Sequence, residues 1–299
     1  MKIGSLCTGY GGLDMAVEAF FDAEMVWCAE IDKQASELIT TRFNKPNLGD
    51  IKQIDWDVVE PIDILTAGYP CQPFSHAGQR KGLEDERHIW PYIIKAISKL
   101  RPNIVVLENV RGHLSLGFKE VLKDLAENGY DARWQVIRAS DVGAPHQRAR
   151  LFIIAYPISI GQPSRITCRR ETTLTSIKDN GRATNTDCNT RTQSRRAISS
   201  IHIEGEGLRN GQDQRQTRDE YRFSLQMDRQ TIPNTLDQDR LNVKFVEYMM
   251  GLNPGWVTDL PFSRAQQLKM LGNGVVPQQA YYALELLCEV NHCPHSETI

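Results

Sequence analysis

The sequence predicts an α/β protein with a mostly parallel sheet and helices on both faces. Short apolar runs recur through the first half of the chain, as in residues 62–67 before Gly68, and runs of this length are typical of buried strands. The segments between them carry apolar residues at helical spacing, as residues 89–100 do. The two patterns alternate up to residue 156, and repeated β-α units of this kind form parallel sheets.

Each predicted element follows from one of these two patterns. The predicted strands cover residues 2–7, 25–29, 62–67, 103–107, 134–138 and 151–156, and a further strand is expected to end at Asp50. The predicted helices cover residues 13–21, 33–43, 89–100, 118–127 and 243–250, and Gly272-Asn273-Gly274 opens a last helix that continues to about residue 289. Ligands of such sheets bind at the carboxyl ends of the strands, so functional residues are expected directly after them.

The periodic pattern stops at Pro157 and resumes at Leu241. Between them, residues 158–240 contain 13 Arg and one Lys against 11 acidic residues, and few large apolar side chains. This composition indicates either a segment that binds nucleic acid or a solvated, partly disordered insert. The predicted organisation is therefore a large α/β domain in residues 1–157, a small irregular segment in residues 158–240, and a C-terminal part, residues 241–299, that packs back on the large domain.

Composition restricts the class of protein. The 299 residues are 24% charged, with a mean hydropathy of -0.42, and no apolar stretch approaches the roughly 20 residues that span a bilayer, so a soluble, cytoplasmic protein is expected. Seven irregularly spaced cysteines favour free thiols in a reducing compartment. The net charge of -2 neither predicts nor excludes nucleic-acid binding. No metal is predicted, because no known zinc-finger spacing matches Cys288, His292, Cys293 and His295.

A glycine-rich turn, Cys7-Thr8-Gly9-Tyr10-Gly11-Gly12, follows the first predicted strand. Glycines at this place let the backbone approach a nucleotide-like ligand closely. Glu30 ends the second strand, 18 residues after Gly12, where a carboxylate can bind ribose hydroxyls. Asp50 is placed to accept a hydrogen bond from an adenine amino group. Taken alone, this pattern fits NAD, FAD or S-adenosylmethionine equally, and it also fits a turn that binds no ligand.

Cys71 and Glu108 follow two neighbouring predicted strands. Both are therefore expected at one edge of the sheet, although a lone cysteine is more often a packing residue. A thiolate is a strong nucleophile at neutral pH, and burial raises the pKa of a nearby acid toward neutrality. Such a pair can activate a cytosine ring: the thiolate adds to carbon 6, the acid donates to ring nitrogen 3, and carbon 5 becomes an enamine nucleophile.

Two arginines precede the last strand of the large domain, in His146-Gln147-Arg148-Ala149-Arg150. On an extended segment, Arg148 and Arg150 point the same way. One of them is placed to hold the carbonyl of a target base or a flanking phosphate. A solvated basic pair is the alternative.

Together these blocks resemble the DNA (cytosine-5) methyltransferases of bacteria and phages. They occur in the family's order over nearly the whole chain except residues 158–240: Gly9-Tyr10-Gly11-Gly12, Glu30, Gly49-Asp50-Ile51, Pro70-Cys71-Gln72-Pro73-Phe74-Ser75, Glu108-Asn109-Val110, Gln147-Arg148-Ala149-Arg150 and Gly272-Asn273-Gly274-Val275-Val276. The resemblance implies a Rossmann-like, S-adenosylmethionine-dependent methyltransferase sheet with a small irregular target-recognition domain in residues 158–240. It implies that Cys71 is the nucleophile, Glu108 the group at ring nitrogen 3, and Arg150 a partner of the base, with Arg148 beside it.

The resemblance also implies a cofactor and partners. S-adenosylmethionine would be the methyl donor, and the substrate would be duplex DNA with the target base flipped out of the helix. A monomer is expected, with a restriction endonuclease that acts on the same site as a possible partner. The residues expected to hold the cofactor are Leu6, Gly9, Gly11, Glu30, Ile31, Asp50, Ile51, Trp90, Asn273 and Val275.

Three positions depart from the family's usual pattern. Cys7 stands where a phenylalanine packs on the adenine, Ile31 replaces a common aromatic residue, and His146 replaces a frequent glutamine. Two alternatives stay open: a tRNA cytosine-5 methyltransferase of the same family, and a catalytically inert DNA-binding relative. The arginine-rich segment favours DNA over tRNA, because loops that read DNA grooves use such side chains.

Overall fold

The computed structural model describes residues 1–70, 89–160 and 232–288. Its strands are β1 (Lys2–Leu6), β2 (Glu24–Ala29), β3 (Ile64–Gly68), β4 (Ile104–Val110), β5 (Tyr130–Ile137), β6 (Arg150–Pro157), β7 (Leu236–Asp237) and β8 (Arg240–Leu241). The first six form one sheet in the order β2-β1-β3-β4-β6-β5, and β7 and β8 form a small hairpin. Most of the predicted recognition segment, from residue 161 to residue 231, lies outside the described residues.

The main sheet has one reversed strand. The pairs β1–β2, β1–β3 and β3–β4 are parallel, whereas β6 is antiparallel to both β4 and β5. The prediction of a mostly parallel sheet is therefore confirmed. An antiparallel neighbour needs no crossover helix, and β6 follows β5 after a short connection. The reversal brings Arg150, the first residue of β6, opposite Val110 at the end of β4.

Helices cover both faces of the sheet, as predicted. They are α1 (Gly12–Phe21), α2 (Lys33–Phe43), α3 (Trp90–Leu100), α4 (Phe118–Glu127), α5 (Val243–Met249), α6 (Arg264–Asn273) and α7 (Pro277–Cys288). One apolar core joins α3 and α4 to sheet residues such as Leu65 and Leu107. The other joins α1, α2 and α7 to residues such as Ile64 and Val106. Neighbouring strand residues enter opposite cores because side chains alternate across a strand.

Side-chain caps define where two of these helices begin. Asp32 precedes α2 and accepts hydrogen bonds from the backbone N–H groups of Gln34 and Ala35, at 3.0 and 3.2 Å. Ser263 precedes α6 and forms a capping box with Gln266. Such caps satisfy N–H groups that have no partner inside the helix.

The strand β4 is longer than predicted. The sequence pattern ends it at residue 107, but β4 continues to Val110 because β6 pairs with it along Glu108, Asn109 and Val110. Glu108 therefore lies inside a strand and not in the loop after one. The partner strand is more than forty residues away in sequence, so local periodicity gives no sign of this extension.

The strand predicted to end at Asp50 is absent from the described residues. A single isolated bridge between Cys28 and Asn47 takes its place beside β2, and Asp50 lies in the turn that follows. The side chain of Asn47 hydrogen-bonds the backbone N–H and carbonyl of Glu30, at the position where a strand ladder would continue. The prediction of a strand here is wrong.

The start of the last helix was also predicted incorrectly. Gly272 and Asn273 end α6, and the last helix, α7, begins at Pro277. The sequence pattern does not indicate α6 because only Gln267, Met270 and Leu271 of its ten residues are buried. With so little apolar surface, α6 lacks the stripe that marks an amphipathic helix.

The C-terminal part packs against the first β-α unit. On α7, Ala283 and Leu284 share a core with Leu13 and Val17 of α1. Ahead of α7, the hydroxyl of the fully buried Tyr10 donates to the carbonyl of Val275 over 2.7 Å. The glycine turn and the segment before α7 therefore form one packed unit, although 265 residues separate the two bonded groups.

No helix in the described part of the chain is long and apolar enough to cross a membrane. Of the four tail residues considered as metal ligands, only Cys288 is described, and His292, Cys293 and His295 lie beyond it.

The contact between Tyr10 and Gly274 gives a stability prediction. A methyl group added at Gly274 would overlap the Tyr10 ring, whereas one added at Gly272 would meet nothing within 4 Å. We expect Gly274→Ala to lower the free energy of unfolding by about 1–3 kcal/mol through overpacking. The matched variant Gly272→Ala, inside α6, should be neutral or slightly stabilising.

Urea unfolding measures both variants. A lower midpoint with an unchanged slope for Gly274→Ala is the expected result. Equal midpoints for the two variants would show that this contact does not constrain the fold.

Candidate active site

The ends of β3 and β4 form the centre of the candidate site. Gly68, the last residue of β3, lies opposite Glu108 in the parallel register. A Cβ atom at Gly68 would lie 3.8 Å from the Oε2 atom of Glu108, so the glycine leaves open space beside this carboxyl group. Tyr69 and Pro70 continue the chain, and Cys71 lies just outside the described residues. The strand that leads to Cys71 is thus adjacent to the strand that carries Glu108.

Two buried contacts fix the chain immediately before Cys71. The side-chain amide of Asn109 donates to the carbonyl of Tyr69 over 3.1 Å. The Tyr69 hydroxyl and the Nε2 atom of His113 share a hydrogen bond of 3.0 Å. Because Asn109 follows Glu108 in β4, the same strand holds both the carboxyl group and the start of the cysteine loop. No sequence pattern had predicted that Asn109 and His113 hold the chain before Cys71.

Glu108 forms a buried ion pair with Arg150. The Nε atom of Arg150 lies 3.0 Å from the Oε1 atom of Glu108, and the two side chains are 17% and 8% exposed. Burial raises the pKa of Glu108 to about 7, while the cations of Arg150 and Arg148 act in the opposite direction. A carboxyl group in this range can donate or accept a proton at neutral pH.

The prediction that Arg148 and Arg150 point the same way along an extended segment is wrong. Its φ angle is 35°, outside the extended region, and β6 begins only at Arg150. Its Nη2 atom donates to the carbonyls of Gly272 and Gly274, at 2.8 and 2.6 Å. The two arginines therefore have different partners: Arg150 pairs with Glu108, and Arg148 binds the segment before α7.

A cleft opens at the same edge of the sheet. It lies between the end of β1, the glycine turn, Gly68 and the segment before α7. Four of the predicted cofactor residues line it: Leu6, Gly9, Asn273 and Val275. Gly9 has a φ angle of 59°, and nothing lies within 4 Å of the position where its Cβ would be. Cys7 also lines the cleft, and burial raises the pKa of its thiol to about 12.

Glu30 lies next to this cleft at the end of β2. Its two carboxylate oxygens accept the backbone N–H groups of Gly9 and Asp32, at 2.9 and 2.8 Å. Burial raises its pKa, and these hydrogen bonds lower it. Asn47 holds the backbone of Glu30 on both sides: its Oδ1 accepts the Glu30 N–H at 3.0 Å, and its Nδ2 donates to the Glu30 carbonyl at 2.9 Å. The neighbouring Ile31 is 72% exposed, which is unusual for a large apolar side chain.

The other predicted cofactor residues do not line the cleft. Ile51 is buried in an apolar core, and Gly11 lies so close to Phe43 that a side chain there would overlap its ring. Trp90 is 4% exposed and donates from Nε1 to the Oδ2 atom of Asp124 over 2.7 Å. Asp50 accepts the backbone N–H of Lys52 at 3.0 Å. Their roles toward a cofactor stay predictions.

The cleft contains one acid that the sequence analysis did not identify. Asp14 lines it, is 1% exposed and accepts a short hydrogen bond from the Thr66 hydroxyl. Burial raises its pKa to about 6, and hydrogen bonds from Thr66 and Ser5 oppose this change. The sequence signal for Asp14 was its position within the apolar run of α1. Acidic side chains are rarely buried without a partner, so an aspartate at this position indicates a bonded, buried carboxyl group.

Solved structures agree with this fold. Over 96% of the chain, the structure superposes on 99% of a DNMT2 mutant from Spodoptera frugiperda with a TM-score of 0.62, at 19% sequence identity. At this identity the similarity concerns the fold alone. It supports the prediction of a Rossmann-like α/β sheet of the methyltransferase type.

The sequence comparisons define the family. The model of the C-5 cytosine-specific DNA methylase family matches residues 1–288, so the chain belongs to this family. The chain is 37% identical over 164 residues to the type II methyltransferase M.Bsp6I of Bacillus sp. (strain RFL6), covering 52% of each protein. It is 35% identical over 161 residues to M.HhaI of Haemophilus parahaemolyticus, covering 52% of the chain and 49% of the relative. The chain thus spans about half the length of the curated relatives that it matches.

The ion pair gives a prediction about protonation. Replacing Arg150 by Met removes the cation that stabilises the ionised form of Glu108, so the pKa of Glu108 should rise above its present value of about 7. NMR titration of the labelled carboxyl carbon measures this directly. Arg111 is exposed and does not act on Glu108, so Arg111→Met is the matched control and should leave the titration unchanged. An unchanged or lower pKa in Arg150→Met would contradict the assignment.

Proposed function

We propose that the protein transfers a methyl group from S-adenosylmethionine to carbon 5 of cytosine in a specific duplex DNA sequence. The observation that supports this most is the position of Glu108. This buried acid, paired with Arg150, lies beside the end of the strand that leads into Pro70-Cys71-Gln72, and the cleft opens at the same edge. Membership of the C-5 cytosine-specific DNA methylase family agrees with the proposal.

The residues of the chain would act in a fixed order. The Cys71 thiolate adds to carbon 6 of the cytosine and forms a carbon–sulfur bond. Protonated Glu108 donates its proton to ring nitrogen 3, so no free carbanion forms. The product is an enamine whose nucleophilic atom is carbon 5. After carbon 5 has been methylated, its proton passes to solvent, the carbon–sulfur bond breaks, ring nitrogen 3 returns its proton to Glu108, and the Cys71 thiolate is released. Arg150 would hold the base and keep the Glu108 carboxyl group oriented through their 3.0 Å contact.

The cleft fits a cofactor of this class. It lies at the carboxyl ends of β1 and β3, the edge where ligands of such sheets bind. The open space beside Gly9 allows a ligand to reach the backbone closely. S-adenosylmethionine, when bound, supplies an electrophilic methyl group. The proposed binding residues are Leu6, Gly9, Gly11, Glu30, Ile31, Asp50, Ile51, Trp90, Asn273 and Val275.

DNA would be bound in a distorted form. Carbon 6 must be attacked from the face of the ring, which is covered by neighbouring bases in a stacked duplex, so the target base has to leave the helix. Residues 158–240 would select the sequence, between a catalytic domain in residues 1–157 and a C-terminal part in residues 241–299. A restriction endonuclease that cuts the same sequence is a further proposed partner, and the protein is proposed to act as a monomer.

The nucleophile is tested by substitution. Cys71→Ser should abolish the transfer of tritiated methyl groups to duplex DNA while DNA binding persists, because serine is a far weaker nucleophile at neutral pH. Cys288→Ser is the matched control, since Cys288 does not line the cleft, and it should retain activity. Turnover by Cys71→Ser would refute the proposed mechanism.

The acid is tested separately. Glu108→Gln keeps the shape of the side chain but cannot release a proton, so kcat should fall about 100- to 10,000-fold, the usual contribution of general acid catalysis. The affinity for S-adenosylmethionine, measured by calorimetry, should change little. An unchanged kcat would exclude Glu108 from the reaction.

Two further assays of the wild-type protein test the alternatives, a tRNA cytosine-5 methyltransferase and a catalytically inert DNA-binding protein. Transfer to tRNA in place of duplex DNA would identify a tRNA methyltransferase. DNA that contains 5-fluorocytosine should trap a stable covalent complex, because the fluorine cannot leave as a proton does. Failure to trap this complex in the presence of S-adenosylmethionine would favour an inert DNA-binding protein.

A further inference from the structure

The backbone of Arg148 is held by a buried side chain of α7. Its carbonyl accepts a hydrogen bond from the Nε2 atom of Gln279 over 2.8 Å, and the same nitrogen donates to the carbonyl of Ile137 over 2.8 Å. Gln279 belongs to α7 and has no exposed surface. Together with the positive φ angle of Arg148, these bonds turn its side chain away from the direction of β6. The conformation is unfavourable for a residue with a side chain, so tertiary contacts must hold it.

The guanidinium group of Arg148 bridges the carbonyls on both sides of Asn273. Its Nη2 atom donates to Gly272 and Gly274, and Asn273, Gly274 and Val275 line the cleft. Gly272 lies in the last turn of α6, which has no basic residue of its own there. A cation at the C-terminal end of a helix is favourable because unpaired carbonyls collect at that end. Arg148 supplies this cation from a distant part of the sequence.

Tyr10 holds the same segment from the other side. Its hydroxyl donates to the carbonyl of Val275, and its ring packs against Gly274. The wall of the cleft is therefore fixed at three carbonyls, those of Gly272, Gly274 and Val275. Without Arg148, two of these three carbonyls would lose their side-chain donor.

We propose that Arg148 is a positioning residue for the cofactor wall of the cleft, and that Arg150 alone of the two arginines contacts the target base. This inference rests on the proposed function, because it assumes that the cleft binds S-adenosylmethionine. It also revises the sequence-based expectation that Arg148 acts at the base beside Arg150.

The test separates cofactor affinity from turnover. In Arg148→Met, the Kd for S-adenosylmethionine, measured by calorimetry without DNA, should rise about 10- to 100-fold, as expected from the loss of charge-assisted hydrogen bonds. The kcat at saturating S-adenosylmethionine should stay within a few-fold of the wild-type value. Arg150→Met should show the reverse: an unchanged Kd and a greatly reduced kcat. Arg148→Lys keeps the charge and one strong donor, so its Kd should lie between those of the wild type and Arg148→Met.

Hydrogen exchange gives a measurement that does not depend on the cofactor. In the protein without ligand, amide exchange in the segment 272–276 should be faster in Arg148→Met than in the wild type and Arg150→Met. A wild-type Kd for S-adenosylmethionine in Arg148→Met, with a loss of kcat like that of Arg150→Met, would overturn the inference and leave the proposed function intact. If the wild type itself does not bind S-adenosylmethionine, the proposed function fails, and the inference fails with it.

Discussion

The parallel pairing of β3 with β4 is the constraint on which the site depends. This register places Gly68 opposite Glu108, and a Cβ atom at Gly68 would lie 3.8 Å from the carboxyl group. The antiparallel pairing of β6 with β4 then brings Arg150 to the same carboxyl group. A shift of β4 against β3 by one residue would turn Glu108 to the opposite face of the sheet, because side chains alternate along a strand. A shift of β6 against β4 would do the same to Arg150.

Buried polar groups at the site are kept in place by specific partners. Glu108 has Arg150, Glu30 has the backbone N–H groups of Gly9 and Asp32, and Asp14 has Thr66. A buried charge without such partners is costly, and burial raises the pKa values of these acids toward neutrality. The same burial that destabilises the ionised acids therefore makes one of them suitable for proton transfer.

The cleft is completed by distant parts of the sequence. The glycine turn after β1 forms one wall and the segment before α7 forms the other. Tyr10 connects these two walls, and Arg148, which precedes β6, donates hydrogen bonds to the segment before α7. The two strands that carry Glu108 and Arg150 lie beside this cleft. The proposed cofactor site and the proposed reactive site thus share one edge of the sheet, and group transfer between two bound molecules requires such proximity.

Local sequence patterns were sufficient to predict the α/β class, the position of most helices and strands, and the blocks that contain Glu108, Arg150 and four of the cleft residues. Apolar periodicity is a local property, so β3 and α4 could be predicted from their own residues alone. Three features became visible only in the folded chain: the reversed direction of β6, the extension of β4 through Glu108 and the turn at Arg148. These features depend on pairing and hydrogen bonds between residues far apart in the chain, which no local pattern encodes.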